Sequence, residues 1–425
     1  MLAPDESNIS SYSTQHKSCK EWIDRHADSI ASPWADWLLA ELSLQQSLLY
    51  MATGKETDAA LAYRQLFRQV STVMEAEPNF APILKCRGMS QVIAGLVRLR
   101  YAWIMDFLGY EGSVDGGLEL LQEAAKGSFR PEEAQITLAL CQAYLLSDRA
   151  AGIAQLGPLV SKHPESKLLN YFMGHLWLKN FHADSAMHYI SKVDSLDGTA
   201  AYRYLPHLDY WKAEIALERG EYNKAIDLYD AAHHTGSEED FAKDRWYKSG
   251  LCYYLSGKLS KADEMLAKAF STGTERTAAD RYAARQAQSG LWPNAFIAKA
   301  RYSSDGGYFE QAAQWLSQVD TSKLSYKQDR LEYQYRKARL LDLQGQKKEA
   351  LVAYDKLIRY SKAERLDYYY FAASACLQAA LITEAQGDRE AARSFYKAAE
   401  DYEEHPYAGS IKNKARMALN RMDGK

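Results

Sequence analysis

Apolar residues recur every three to four positions along nearly the whole chain, and strand-like alternation is almost absent. That period puts them on one face of a helix, so the pattern predicts an all-α protein. The Gly, Asp and Ser clusters between apolar runs are short, which predicts helices joined by tight turns. A helical chain of 425 residues is a bundle, several bundles or a solenoid. Only the solenoid leaves a repeat of about twenty to fifty residues in its sequence.

The second half carries such a repeat. In WYKSGLCYYLSGKLSKADEMLAKAF, starting at Trp246, a large residue is followed by Gly250, Tyr253, Gly257, Ala262, Leu266 and Ala269. Gly250 lets two helices approach closely, Gly257 supplies a positive φ between them, and Ala262 sits at the closest crossing. YWKAEIALERGEYNKAIDLYDAA repeats the register with Ala213, Gly220, Ala225, Tyr229 and Ala232. Copies around Gly307, Gly345 and Gly387 follow, each with Gly-x4-Ala-x3-(Tyr/Leu) at the turn. A weaker copy keeps Gly174, Trp177, Ala186 and Ile190 but places Phe181 at the turn. The turn glycines lie 37, 50, 38 and 42 residues apart, against a minimal period of about 34. The long gap holds an insertion near 272–293.

This spacing resembles the tetratricopeptide repeat. The resemblance implies a right-handed α-α superhelix of antiparallel helix pairs, a scaffold and not an enzyme. The expected organisation is an N-terminal segment over 1–32, degenerate helix pairs over 33–165, an array of five to six repeats over 166–404, and a capping helix over 405–425. Upstream, PILKCRGMSQVIAGLVRLRYAWIMDFLG reads as one long helix or a broken pair.

The stretch FLGYEGSVDGGLELLQEAAKG, residues 107–127, invites a phosphate-loop reading because it holds five glycines, four of them ahead of an apolar run. A P-loop needs G-x4-G-K-[ST], and Leu118-Glu119 follows Gly117 instead. A dinucleotide loop must follow a strand, and the preceding segment is helical in pattern. The stretch is read as a helix stop at Gly109 and a restart capped by Ser113 or Asp115. It also resembles the fingerprint of a group of bacterial tetratricopeptide proteins, mostly of the Bacteroidota, and of the eukaryotic inclusion-body-clearance proteins. SPWADWLLAELSLQQSLLYMATG and YAGSIKNKARMALNRM resemble flanking parts of that group. The resemblance implies an interaction role and brings no catalytic residues.

Charge and chemistry narrow this further. A net charge of −3 without one-sign runs gives little electrostatic support for nucleic acid or an anionic membrane surface. The five cysteines are scattered, so neither a disulfide framework nor a zinc site is expected. Cys141, Cys252 and Cys376 read as small buried hydrophobes. His233-His234 point apart on a helix and suit no shared metal. GSEEDFAKD, 236–244, reads as first-turn acids. No cofactor and no metal are expected. No apolar run reaches eighteen residues, so no integral membrane segment is expected. The polar start lacks a signal-peptide order and reads as a cut within a loop. A cell-envelope protein, periplasmic or lipid-anchored through a missing N-terminus, is therefore expected ahead of a cytoplasmic one.

The register also proposes a groove. Counting ten back from each turn residue gives Tyr171, Tyr210, Tyr247, Ile297, Tyr335 and Leu377. Counting six back gives His175, Glu214, Leu251, Arg301, Arg339 and Leu381. Tyrosine suits interfaces because its body is flat and its tip polar. The candidate partner-binding groove is thus Tyr171, His175, Tyr210, Glu214, Tyr247, Tyr254, Arg301, Tyr335 and Arg339. Its expected ligand is a protein or peptide, with a glycan or lipid as the alternative. TyrTyrTyr at 368–370 reads as core and groove edge.

Overall fold

The structure is a computed structural model, and it describes residues 6–108, 112–146, 148–196, 205, 207–235, 240–405 and 407–423. Among these the regular elements are all helices, and none is long and apolar enough to cross a membrane. The chain divides into two compact units, Met1–Lys162 and His163–Lys425.

The first unit holds α1 (Glu6–His26), α2 (Trp34–Ala52), α3 (Glu56–Ala76), α4 (Leu84–Leu108), α5 (Val114–Lys126), α6 (Pro131–Tyr144) and α7 (Arg149–Lys162). They pack as consecutive pairs, α2 with α3, α4 with α5 and α6 with α7. The segment before residue 33 forms a helix of its own, with Ile23 buried. The long apolar stretch from Leu84 is one unbroken helix. One apolar core runs through the unit, with Trp37, Leu66, Val73, Ile83, Leu121 and Leu138 at its centre.

The glycine-rich stretch lies where α4 meets α5. Ser113 caps α5, its Oγ accepting from the Gly116 N–H at 3.0 Å. A Cβ on Gly117 would stand 2.6 Å from the Gly88 carbonyl oxygen, and one on Gly88 would stand 2.9 Å from the Gly117 oxygen. The two backbones touch, and the glycines exist for that crossing, not for a phosphate. Gly109 lies outside the described residues.

The second unit repeats a helix pair: α8 (Lys167–Lys179) with α9 (Ala183–Ser195), α10 (Leu208–Glu218) with α11 (Tyr222–Thr235), and α12 (Ala242–Leu255) with α13 (Leu259–Ser271). The insertion then folds as a single helix, α14 (Ala278–Ser289), packed on α12 and α13. The pairs resume with α15 (Ala295–Asp305) and α16 (Phe309–Ser317), α17 (Lys327–Leu343) and α18 (Lys347–Glu364), and α19 (Tyr370–Ala385) and α20 (Arg389–Glu400). The last helix, α21 (Ala408–Met422), covers the end of α19 and α20 with Ile411, Ala415 and Leu419.

The local reason for each hairpin is visible at its turn. Gly220, Gly257, Gly307, Gly345 and Gly387 all have φ between 75° and 89°. In the weak copy Phe181 takes the same conformation at φ 63°, at a cost of about 1–2 kcal/mol for a residue with a Cβ. Its backbone still closes the turn as Gly257 does, with the next amide bonded back to the helix: His182 to Trp177 at 3.1 Å, and Lys258 to Tyr253 at 2.9 Å. Gly250 has Met265 Cβ and the Ala262 oxygen 3.0–3.1 Å from where its Cβ would be, so small residues set the spacing within the pair. Cys252 and Cys376 are fully buried among these helices, as Cys141 is buried in the first unit.

Candidate functional site

The two rows read from the register lie on the first helix of each pair, where helices of successive pairs meet. Tyr171, Tyr210, Tyr247 and Tyr335 are all buried, not open to a groove. The Trp211 indole donates to the Tyr171 hydroxyl at 3.0 Å, and the Tyr210 hydroxyl donates to Asp244 at 2.5 Å. Tyr247 stands edge-on to Tyr282, with ring centres 5.9 Å apart, and Tyr335 packs on Phe371 at 5.5 Å. Ile297 is buried too, and Leu377 is covered by the C-terminal helix. Burial, with Asp244 and Glu214 close by, pushes the Tyr210 hydroxyl well above its usual pKa.

The second row is charged and equally occupied. Lys248 lies between Glu214 at 2.5 Å and Asp244 at 2.9 Å, and also donates to Tyr210 at 3.2 Å. Tyr229 donates to the other Glu214 oxygen. Arg301 donates to the Tyr282 hydroxyl at 3.0 Å. Arg336, one position beyond the Tyr335 row, grips Glu332 at 2.8 Å and the Tyr370 hydroxyl at 2.6 Å. Arg339 pairs with Asp342, reaches Gln378 at 3.1 Å and covers the Phe181 ring at 5.1 Å. His175 is buried edge-on against Trp211, with ring centres 4.5 Å apart. Tyr254 is half-buried and stacks on Trp292 at 5.3 Å. Glu218 is buried with one oxygen unbonded to protein. Its pKa is raised well above the usual range by burial first, then by Asp305 and Glu214.

The rows are filled mainly by the first helices of successive pairs, and distant pairs of the second unit touch as well. The Ala183 amide at the start of α9 donates to the Gly306 carbonyl at 3.1 Å. A Cβ on Gly307 would overlap the Phe181 carbonyl oxygen. The Tyr308 hydroxyl donates to Asp184 at 2.7 Å, and Arg219 donates to the same carboxylate at 2.6 Å. Tyr308, with Arg219, holds the Asp184 carboxyl below its ordinary pKa. The turn of the α15/α16 hairpin thus sits on the turn of α8/α9, three pairs back. An array wound this tightly brings the turns of distant pairs together, while the Glu218 Oε2 and the Tyr302 hydroxyl stay buried without a hydrogen-bond partner among the described residues.

The histidines of the sequence reading are structural as well. His233 stacks on Trp246 with ring centres 3.5 Å apart, and burial, with Arg245 next, pushes its pKa down to about 3. His182 packs edge-on to Trp177 at 5.2 Å. Among the described residues no group of three metal-ligating side chains comes together. Of the acidic turn, residues 236–239 lie outside the described residues; Asp240 pairs with Arg276 at 2.9 Å.

A concave site is open among the described residues of this unit. A cleft of about 340 Å³ lies between α14 and the starts of α17 and α19. Tyr368, Tyr369 and Tyr370 form one wall, and Gln286, Gln288 and Gln328 bring amides to it. Arg285 donates to the backbone oxygens of Tyr368 at 3.1 Å and Glu404 at 3.2 Å, so α14 braces the loop that carries the tyrosines. Tyr282 of α14 meets Tyr370 at 6.3 Å and Tyr407 at 6.2 Å beneath the cleft. Register counting could not find this site, because one wall is the insertion. The YYY run was its only sequence signal.

The fold is a tetratricopeptide-like repeat of helix pairs. Its helix pairs, positive-φ turn residues and small residues at the crossings are those of that repeat. A scan against family models and a search of curated proteins match nothing. Among solved structures the chain is similar to a tetratricopeptide repeat protein from Parabacteroides merdae, at 16% identity over 68% of this chain and 98% of that one, with a TM-score of 0.29. It is similar to the apo quorum sensor NprR from B. thuringiensis, at 13% identity over 85% and 97%, with a TM-score of 0.41. Yeast Tom70 is similar at 12% identity over 97% of both chains, with a TM-score of 0.29.

Proposed function

We propose that this protein is a non-catalytic scaffold that holds a protein partner at the α14 cleft. The observation that carries this reading is the contrast between filled rows and an open cleft. Tyr171, His175, Tyr210, Glu214, Tyr247 and Tyr335 are buried, and Arg301 and Arg339 are held by Tyr282 and by Asp342 and Gln378. In this reading they fix the winding of the array, with Tyr254 packing the insertion through Trp292. The partner contact falls to Tyr368–Tyr370 and the glutamines opposite. A net charge of −3 favours a protein over a nucleic acid.

The test is site-directed photocrosslinking in the native host. A photoreactive residue at Gln288, on the cleft, is expected to trap a discrete protein adduct. The same residue at Val352, exposed on α18 and away from the cleft, is expected to trap none. Equal adducts from both positions, or none from Gln288, contradict the reading. The cleft's rings and amides also suit a sugar, and a glycan adduct in place of a protein one transfers the cleft to that class.

A further inference from the structure

Resting on that reading, we propose that the α14 cleft recognises a proline-rich segment of the partner in the polyproline II conformation. Three observations select this chemistry. First, the mouth carries a ridge of consecutive rings. Tyr368 is exposed and Tyr369 partly so, their ring centres 4.4 Å apart and their planes tilted by 41°, while the Tyr370 hydroxyl turns inward to Arg336. Flat rings fixed side by side receive the pyrrolidine faces of a polyproline helix, whose shape exists before binding.

Second, the hydrogen-bonding groups suit a peptide main chain whose carbonyls are free. A polyproline II segment makes no internal hydrogen bonds, and its prolines bring acceptors without donors. The cleft is lined by Gln286, Gln288 and Gln328 and by no residue with a carboxylate side chain. Third, another common peptide mode finds no seat. A strand would need a sheet edge to extend, and none exists among the described residues. A polyproline II segment needs no such edge.

The loop is also held still. Arg285 fastens the Tyr368 carbonyl, and Tyr369 enters α19 in extended backbone at φ −95° and ψ 141°. A fixed aromatic ridge loses little entropy on binding.

The experiment is fluorescence anisotropy of labelled octaproline against the full chain, with a Gly-Ser peptide of equal length as comparison. Octaproline is expected to bind saturably and the Gly-Ser peptide not to bind. The double variant Tyr368→Ala/Gln288→Ala, both exposed positions, is expected to weaken binding at least about tenfold. Tyr368→Phe, which keeps the ring, and Val352→Ala are expected to leave it within about twofold. Circular dichroism of each variant checks that the fold is retained. Absence of saturable octaproline binding overturns the proposal, as does equal binding of the Gly-Ser peptide or equal loss in Val352→Ala. If Gln288 still crosslinks a protein while octaproline fails, the cleft keeps its scaffold role and only the proline chemistry falls.

Discussion

The two units solve the same packing problem differently. The first buries one continuous apolar core, and its tightest contact is backbone against backbone where Gly88 meets Gly117. The second divides its apolar residues into smaller clusters and places ionic networks among them, such as Lys248 with Glu214 and Asp244. The difference follows from repetition. A repeat keeps its apolar contacts within a pair and with the next pair, so the inner faces need not be apolar. The first helices of successive pairs close those polar positions on each other, and the array also winds tightly enough for α8/α9 to meet α15/α16. Polar residues at groove positions then specify the winding instead of greeting a ligand.

The sharpest way to break this comparison is at the closure. Gly307→Ala places a Cβ onto the Phe181 carbonyl at a positive φ. It is expected to destabilise the second unit by about 3–5 kcal/mol in urea unfolding. Gly345→Ala, with the same turn conformation and nothing within 4 Å, is expected to cost only about 1 kcal/mol. Equal losses would mean that the turns act independently. Next in size is Lys248→Met, which strands two buried carboxylates; a loss of about 3 kcal/mol is expected. A loss under about 1 kcal/mol would show the row to be hydrated and open.

Smaller effects come with pH. Burial depresses the pKa of His207 and His405 to about 4 and that of His233 to about 3. Their folded values lie below the unfolded value of about 6.5. The stability they contribute is thus present above about pH 6.5 and is lost as pH falls toward about 4. Urea unfolding followed at Trp246, which stacks on His233, is expected to show that acid limb. The Trp246 signal holding constant from pH 7 to pH 4 would argue that these rings are solvated. Smallest is Glu218→Gln. The folded pKa of Glu218 is raised, so its contribution is full below about pH 4.3 and lost as pH rises through the folded value. The substitution is expected to raise the melting temperature at pH 8 and to change it little at pH 4.5. A fall at pH 8 would mean that the carboxylate is paired.

Much of the fold was legible because it is local. The turn glycines, Ala262 at the crossing and the C-terminal cap are each decided within a pair or by its immediate neighbour. Phe181 was legible as a departure, though not as the seat of Gly307. What stayed hidden depends on what other helices of the array bring to each position. Tyr171 and Tyr210 look alike whether the array is open or closed, because counting from a turn fixes which helix a residue is on and not what approaches it later. The cleft was hidden for a related reason. The 272–293 insertion breaks the register, and its α14 supplies Gln286 and Gln288, which acquire meaning only opposite Tyr368.

The closure itself is tested most directly by the exchange of one amide. Ala183 is the first residue of α9, a position whose N–H has no partner within its own helix. Its protection from solvent hydrogen therefore depends on the Gly306 carbonyl, 3.1 Å away. Site-resolved hydrogen exchange on the full chain is expected to show the Ala183 amide protected at least about a hundredfold, and to show that protection lost in Gly307→Ala. Exchange of Ala183 at the unprotected rate in the unaltered protein would contradict the closed array.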